Sequence, residues 1–129
     1  MRVLIVEDEP LIAMDLEDIV AERSDATCVW ARTVSDGLEK ALSDLDFALL
    51  DYNIAGGTSA AVARLLQSRH VPFCFVSASV GELPAQFGSI PRLSKPFTAD
   101  AVRRLLPAAA EPKLRASRPR NAAGRLAKI

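Results

Sequence analysis

Five strand-length apolar runs, each followed by a polar residue, alternate along this chain with segments of helical period, and that alternation leaves few folds open. The runs are Arg2 to Val6, Thr27 to Ala31, Phe47 to Leu50, Phe73 to Val76 and Ile90 to Leu93. Most are apolar at nearly every position, as strands buried on both faces are. Behind Pro10, a residue suited to a first helical turn, Leu11, Ile12, Leu16, Ile19 and Val20 recur at helical spacing, and the helix is expected to end near Ser24. Thr33 caps a second helix with Val34, Leu38, Ala41 and Leu42 on one stripe. Gly56-Gly57 makes a loop, and Thr58 or Ser59 caps a third helix, which carries Ala61, Val62, Leu65 and Leu66 and runs to about His70. Gly81, Pro84 and Gly88 punctuate Ser79 to Ser89, so a fourth helix there is short or irregular. Thr98 caps a last helix with Ala101, Val102, Leu105 and Leu106 on its apolar side, and Pro107 ends it. Strands alternating with helices predict an α/β fold, a doubly wound parallel sheet of five strands with helices on both faces.

A chain of 129 residues supports one domain with a real core. Half of it is hydrophobic and a quarter charged, the balance of a globular protein. No apolar run approaches the roughly 20 residues of a membrane span, and Met1 leads directly into a strand, so neither a membrane segment nor a signal peptide is expected and the cytoplasm is the default compartment. Cys28 and Cys74 lie inside apolar runs without metal-type spacing and read as reduced core residues. The zero net charge hides a division: residues 1–106 hold 10 basic and 15 acidic residues, whereas residues 107–129 hold six basic residues and one acid.

In sheets of this kind ligands bind beyond the carboxyl ends of the strands. The first strand ends in Glu7 and Asp8, the third in Asp51, the fourth in Ser77 and the fifth in Ser94 and Lys95. Three carboxylates brought together repel one another, and a hard divalent cation with oxygen ligands relieves that repulsion. Magnesium fits, because it binds a few carboxylates while leaving room for a phosphate oxygen. Asp51, Ser77 and Lys95 then supply a nucleophile, a hydroxyl donor and a second cation.

Over residues 1–106 the chain resembles the receiver domain of two-component response regulators, CheY-like, with strand order 2-1-3-4-5. The resemblance rests on Val3-Leu4-Ile5-Val6-Glu7-Asp8-Glu9-Pro10, Leu49-Leu50-Asp51-Tyr52-Asn53, Val76-Ser77-Ala78 and Ser94-Lys95-Pro96-Phe97, in the family's order. Gly56-Gly57-Thr58-Ser59 and the sparse fourth helix are similar to a branch of single-domain receivers. The resemblance implies that Asp51 accepts a phosphoryl group, that Asp8 binds Mg2+ directly and Glu7 through a water, and that Asn53 offers its backbone carbonyl to the metal. It implies that Ser77 and Lys95 hold the phosphoryl oxygens and that the Lys95–Pro96 peptide is cis. A histidine kinase or histidine phosphotransfer protein would supply the phosphoryl group, a downstream protein would read it, and the chain would catalyse only its own loading and dephosphorylation. A homodimer is left open.

Two features depart from that pattern. Arg92 stands three positions before the lysine, where the family often has an aromatic switch residue, and it is free to pair with an acid on a partner or with the phosphorylated edge. The broken segment between Ser77 and Ile90 belongs to the face that receivers commonly use for partners, so the usual dimer does not follow.

Taken singly, the site residues are ordinary: Glu7-Asp8 suits a solvated strand end, Ser77 a hydroxyl on backbone, Lys95-Pro96 a loop. It is their joint placement at four strand ends that points to chemistry. Gly56 to Ser59 lacks the spacing of a nucleotide loop. His70 reads as a surface or helix-end residue and Trp30 as core or strand-edge packing. The extension 107–129 has no strong helical stripe and no complete nucleic-acid recognition motif; a mobile tail, contact with the acidic body and steering of an acidic partner are the options. A phosphorylation-independent binding module keeps the same fold. An aspartyl-phosphate phosphatase would need a second acid two residues after the nucleophile, where Asn53 stands.

Overall fold

A computed structural model describes residues 1–78 and 80–108. The strands are β1 Arg2–Val6, β2 Thr27–Ala31, β3 Phe47–Leu50, β4 Asn53–Ile54, β5 Gly57–Thr58, β6 Phe73–Ser77 and β7 Arg92–Ser94. The helices are α1 Pro10–Ala21, α2 Val34–Lys40, α3 Ala60–Ser68 and α4 Ala99–Leu105. Five strands form one sheet in the order β2-β1-β3-β6-β7, with every pair parallel. This is the doubly wound, CheY-like arrangement expected from the alternation of elements, the fourth and fifth strands of the sequence reading being β6 and β7.

Alternation along each strand splits the core into two layers. From β1, Leu4 and Val6 join Leu50, Val62, Leu66 and Phe75 on the face covered by α2 and α3. Val3 and Ile5 join Leu16, Val20, Leu49 and Val102 on the face of α1 and α4. A strand buried on both sides must be apolar at odd and even positions alike, which is why the runs show no polar alternation. Gly37 allows α2 to seat closely, since a Cβ there would stand 3.1 Å from Val62 Cγ2. Among the described residues no helix is long and apolar enough to cross a membrane.

Several boundaries differ from the sequence reading, each for a local reason. The last strand starts at Arg92 rather than Ile90: Pro91 has no N–H to give a ladder, and Ile90 spends its own N–H on the Phe87 carbonyl at 3.0 Å. Helix α1 ends at Ala21, ahead of Ser24, where the Glu22 and Arg23 amides turn back three residues to Ile19 and Val20. Helix α2 ends at Lys40, so Leu42 leaves the apolar stripe and is 59% exposed. Helix α3 ends at Ser68, and His70 takes the left-handed conformation (φ 60°) common just past a helix end. Gly56 and Gly57, with φ of 97° and 129°, close a small antiparallel hairpin of β4 on β5 that periodicity did not show. Thr33 and Thr98 cap α2 and α4 as expected, accepting from Asp36 N and Ala101 N.

The segment after β6 holds two short 3-10 turns, Val80–Glu82 and Ala85–Phe87, in place of a full helix. Cys28 and Cys74 are free thiols, and burial pushes them up to about 11 and about 12. Of the basic extension 107–129, residues 109–129 lie outside the described residues, and the expectations for it lie there with them; Pro107 and Ala108, where it begins, accept hydrogen bonds from Arg23.

Candidate functional site

The backbone sews the strand ends together before any side chain is considered. Glu7 N donates to Ala31 O at 3.0 Å, Asp51 N to Val6 O at 2.9 Å, and Lys95 N to Ser77 O at 3.1 Å. These three bonds tie the ends of β2, β1 and β3 together and the end of β6 to that of β7, and the pairing of Leu50 with Phe75 joins the two groups into one rim. The residues that leave the strands there are Glu7, Asp8, Asp51, Ser77 and Lys95.

One carboxylate oxygen each from Glu7, Asp8 and Asp51 lies within 4.8 Å of the others. Lys95 Nζ stands 2.8 Å from Glu7 Oε1 and 3.0 Å from Asp51 Oδ2. Glu7 is 1% exposed and Asp51 7%, so both charges sit largely out of water. Burial pushes the Glu7 carboxyl up to about 7; Lys95 opposes that rise and the Asp51 charge adds to it. Desolvation draws the Lys95 ammonium down, but its pairing with Glu7 and Asp51 outweighs this and leaves it above its ordinary value.

This charge pattern fits a divalent cation. Lys95 Nζ, 2.8 Å from Glu7 Oε1 and 3.0 Å from Asp51 Oδ2, supplies one positive charge against three carboxylates, so the cluster keeps an excess of negative charge. A buried carboxylate oxygen facing two further carboxylates, in an all-oxygen donor set, is suited to a hard ion of the Mg2+ class.

Of the residues named from the sequence, Glu7, Asp8, Asp51 and Lys95 come together as one cluster. Ser77 ends β6, buried, and pairs in register with Ser94 immediately before Lys95. Asn53 lies two residues past Asp51 on β4, exposed and paired with Thr58. The Lys95–Pro96 peptide is cis. Arg92 faces backbone, donating to the carbonyls of Phe87 and Ile90.

Two supporting residues went unseen in the sequence. Ser59 occupies the cap position of α3 without capping it; its Oγ donates instead to the Asp51 carbonyl at 2.7 Å, fully buried. Nothing local in the sequence separates that role from an ordinary cap. Trp30 Nε1 donates to the Glu7 carbonyl at 2.8 Å. Its pairing with Ile5 puts it near the same rim, so the register of β2 on β1 was the signal that could have found it.

No family model matches the chain. The chain is 35% identical over 110 residues to the phyllosphere-induced regulator PhyR of Methylorubrum extorquens, a match that covers 78% of this chain and 41% of that protein. It therefore spans about two fifths of the length of that curated relative. SdrG from Sphingomonas melonis superposes with a TM-score of 0.71 at 41% identity, covering 81% of this chain and 92% of SdrG. The receiver domain of the PhyR response regulator from Erythrobacter litoralis gives 0.65 at 31% identity, covering 81% and 84%. A mutant of the anti-anti-sigma factor PhyR from Bartonella quintana gives 0.65 at 32% identity, covering 81% of this chain and 45% of that one.

Proposed function

The chain belongs to the response regulator receiver-domain family, and from that premise we propose that it is a phosphorylation-controlled switch whose acceptor is Asp51. The observation that carries this reading is the seating of the Lys95 ammonium 3.0 Å from Asp51 Oδ2, beside two further carboxylates. Asp51 attacks the phosphorus of a phosphohistidine or an acyl phosphate; its oxygen–phosphorus bond forms as the bond to the donor breaks, and the donor leaves with the bonding pair. Lys95 meets the charge on the transferred oxygens, and the Ser77 hydroxyl donates to one of them. Ser59 holds the Asp51 backbone through its carbonyl, so the nucleophile is positioned by a buried bond. Glu7, Asp8, Asp51 and the Asn53 carbonyl would hold Mg2+, which supplies charge neutralisation at the transferring phosphoryl group. The chain works on itself and turns over no separate substrate.

The phosphoryl donor on this reading is a histidine kinase or histidine phosphotransfer protein, and the output is a change in binding to a protein partner. The Bartonella relative, by its name an anti-anti-sigma factor, supports an output of the partner-switching type. Since the chain spans only part of that relative and of the Methylorubrum regulator, this role is carried over as a proposal for the receiver portion.

The test is incubation with a small acyl phosphate and Mg2+ followed by intact-mass measurement. The wild type gains one phosphoryl group and Asp51→Asn gains none; an unshifted wild-type mass, or an equal shift in Asp51→Asn, overturns the reading. A second reading, a binding module indifferent to phosphate, is favoured by Arg92 at the place of the aromatic switch. It requires equal partner affinity with and without a phosphoryl mimic.

A further inference from the structure

Arg92 opens β7 three residues before Lys95 and pairs in register with Phe75. Its guanidinium turns onto backbone: Nε donates to Ile90 O at 3.2 Å, and Nη2 donates to Ile90 O at 3.1 Å and to Phe87 O. Those carbonyls belong to the Ala85–Phe87 turn and its exit. The turn is held otherwise by three local amides, Phe87 N on Pro84 O, Gly88 N on Ala85 O and Ile90 N on Phe87 O. So short a 3-10 turn is weak by itself, and Arg92 adds a second donor to Phe87 O and a donor to Ile90 O.

The same turn is tied to the site from beneath. Phe87 is fully buried and packs on Phe75 at 5.4 Å between ring centroids. Phe75 packs edge-on against Tyr52, the residue after Asp51, at 5.9 Å. Two links therefore converge on Phe87, one through the rings from Asp51 and one through β7 from Lys95. β7 is a three-residue edge strand paired only to β6, so it is the part of the sheet with the fewest bonds resisting a shift.

We propose that Arg92 is a positioning residue that couples the state of the site to the Ala85–Phe87 turn through its hydrogen bonds to the Phe87 and Ile90 carbonyls. This rests on the reading of Asp51 as the phosphoryl site. A phosphoryl group on Asp51 draws Lys95 away from its present carboxylate partners, β7 follows Lys95, and Arg92 carries the Phe87 and Ile90 carbonyls with it. The turn then presents a different surface because the loaded and unloaded states bind Lys95 differently.

The experiment uses the full chain with Mg2+ and beryllofluoride as the phosphoryl mimic. Fluorine NMR reads the bound probe, and amide hydrogen exchange reads Phe87, Gly88 and Ile90. In the wild type, loading changes exchange at these amides by about fivefold, the scale of one net hydrogen bond. Arg92→Met removes the donors; Arg92→Lys keeps the charge and the fold but cannot fork across two carbonyls. In both variants the unloaded amides exchange about fivefold faster than in the wild type, and loading changes them by less than about twofold, although the bound fluorine signal saturates at an unchanged probe concentration.

Wild-type rates in Arg92→Lys and Arg92→Met overturn the clamp. Faster unloaded exchange with a full-sized response to loading overturns the coupling, because Arg92 would then be structural only. A wild type that binds no beryllofluoride overturns the reading of Asp51, and the coupling with it, while the unloaded rates decide the clamp separately.

Discussion

The Lys95 ammonium and the Asp51 carboxylate, 44 residues apart in the chain, meet at 3.0 Å on the rim of the sheet. Both are largely buried, so the pair is held where water screens it poorly.

Replacing Lys95 by Met leaves Glu7 and Asp51 buried without their cation. Loss of one partner from such a cluster costs about 3 kcal/mol. Urea denaturation without divalent ions is expected to show that loss, and Mg2+ is expected to restore part of it; an unchanged urea midpoint contradicts the charge accounting.

Asp51→Asn is expected to act in the opposite direction. Glu7 keeps Lys95 as its partner and loses a neighbouring negative charge, one of the causes of its raised carboxyl. The metal-free melting temperature is expected to rise even as phosphoryl acceptance is abolished. A lower melting temperature would show that Asp51 is a net stabiliser of the rim.

Mg2+ is expected to stabilise the wild type by about 1.4 kcal/mol at ten times its dissociation constant. Trp30, the single tryptophan, reports the same event by fluorescence, because its indole N–H is bonded to the Glu7 carbonyl. Asp8→Asn is expected to weaken both responses together; a fluorescence change that survives in Asp8→Asn at the same Mg2+ concentration would place the ion elsewhere.

Ser59→Ala removes a fully buried donor to the Asp51 carbonyl. The expected cost is about 1 to 2 kcal/mol, since the carbonyl loses that bond away from water. If that bond only fastens the loop before α3, the loss would appear in stability alone. If it positions Asp51, the rate of loading by acyl phosphate falls as well, which intact mass against time would read.

Burial raises the Cys74 thiol from 9.0 to about 12. A native value above the unfolded one means that the folded chain keeps a proton the unfolded chain has released, so this contribution is intact below pH 9.0 and is lost as the pH climbs towards about 12. Urea midpoints taken across that window are expected to fall less steeply in Cys74→Ala than in the wild type, although Cys74→Ala starts lower through loss of packing. Parallel slopes would count against a buried, protonated Cys74.

The alternation of elements was legible in the sequence because strand apolarity and helical period are local properties, and the rule for strand ends then brought Glu7, Asp8, Asp51, Ser77 and Lys95 to one edge. What the sequence could not show was set by contacts between distant segments or by competition for a single backbone group. Ile90 looked like strand because it is apolar, yet its amide was already taken by Phe87. Ser59 looked like a cap because of its place before α3, yet its hydroxyl found the Asp51 carbonyl.

By itself, then, the sequence determined which residues reach the rim, since the length of each apolar run marks where a strand stops and which polar residue leaves its end. Only the tertiary structure decided how they are used there. Parallel register brought three carboxylate oxygens and one ammonium within a few ångströms, and burial made their charges interdependent. Arg92 gives the sharpest contrast: its position was read correctly, but the carbonyls that hold it became its partners only once β7 and the Ala85–Phe87 turn were folded against β6.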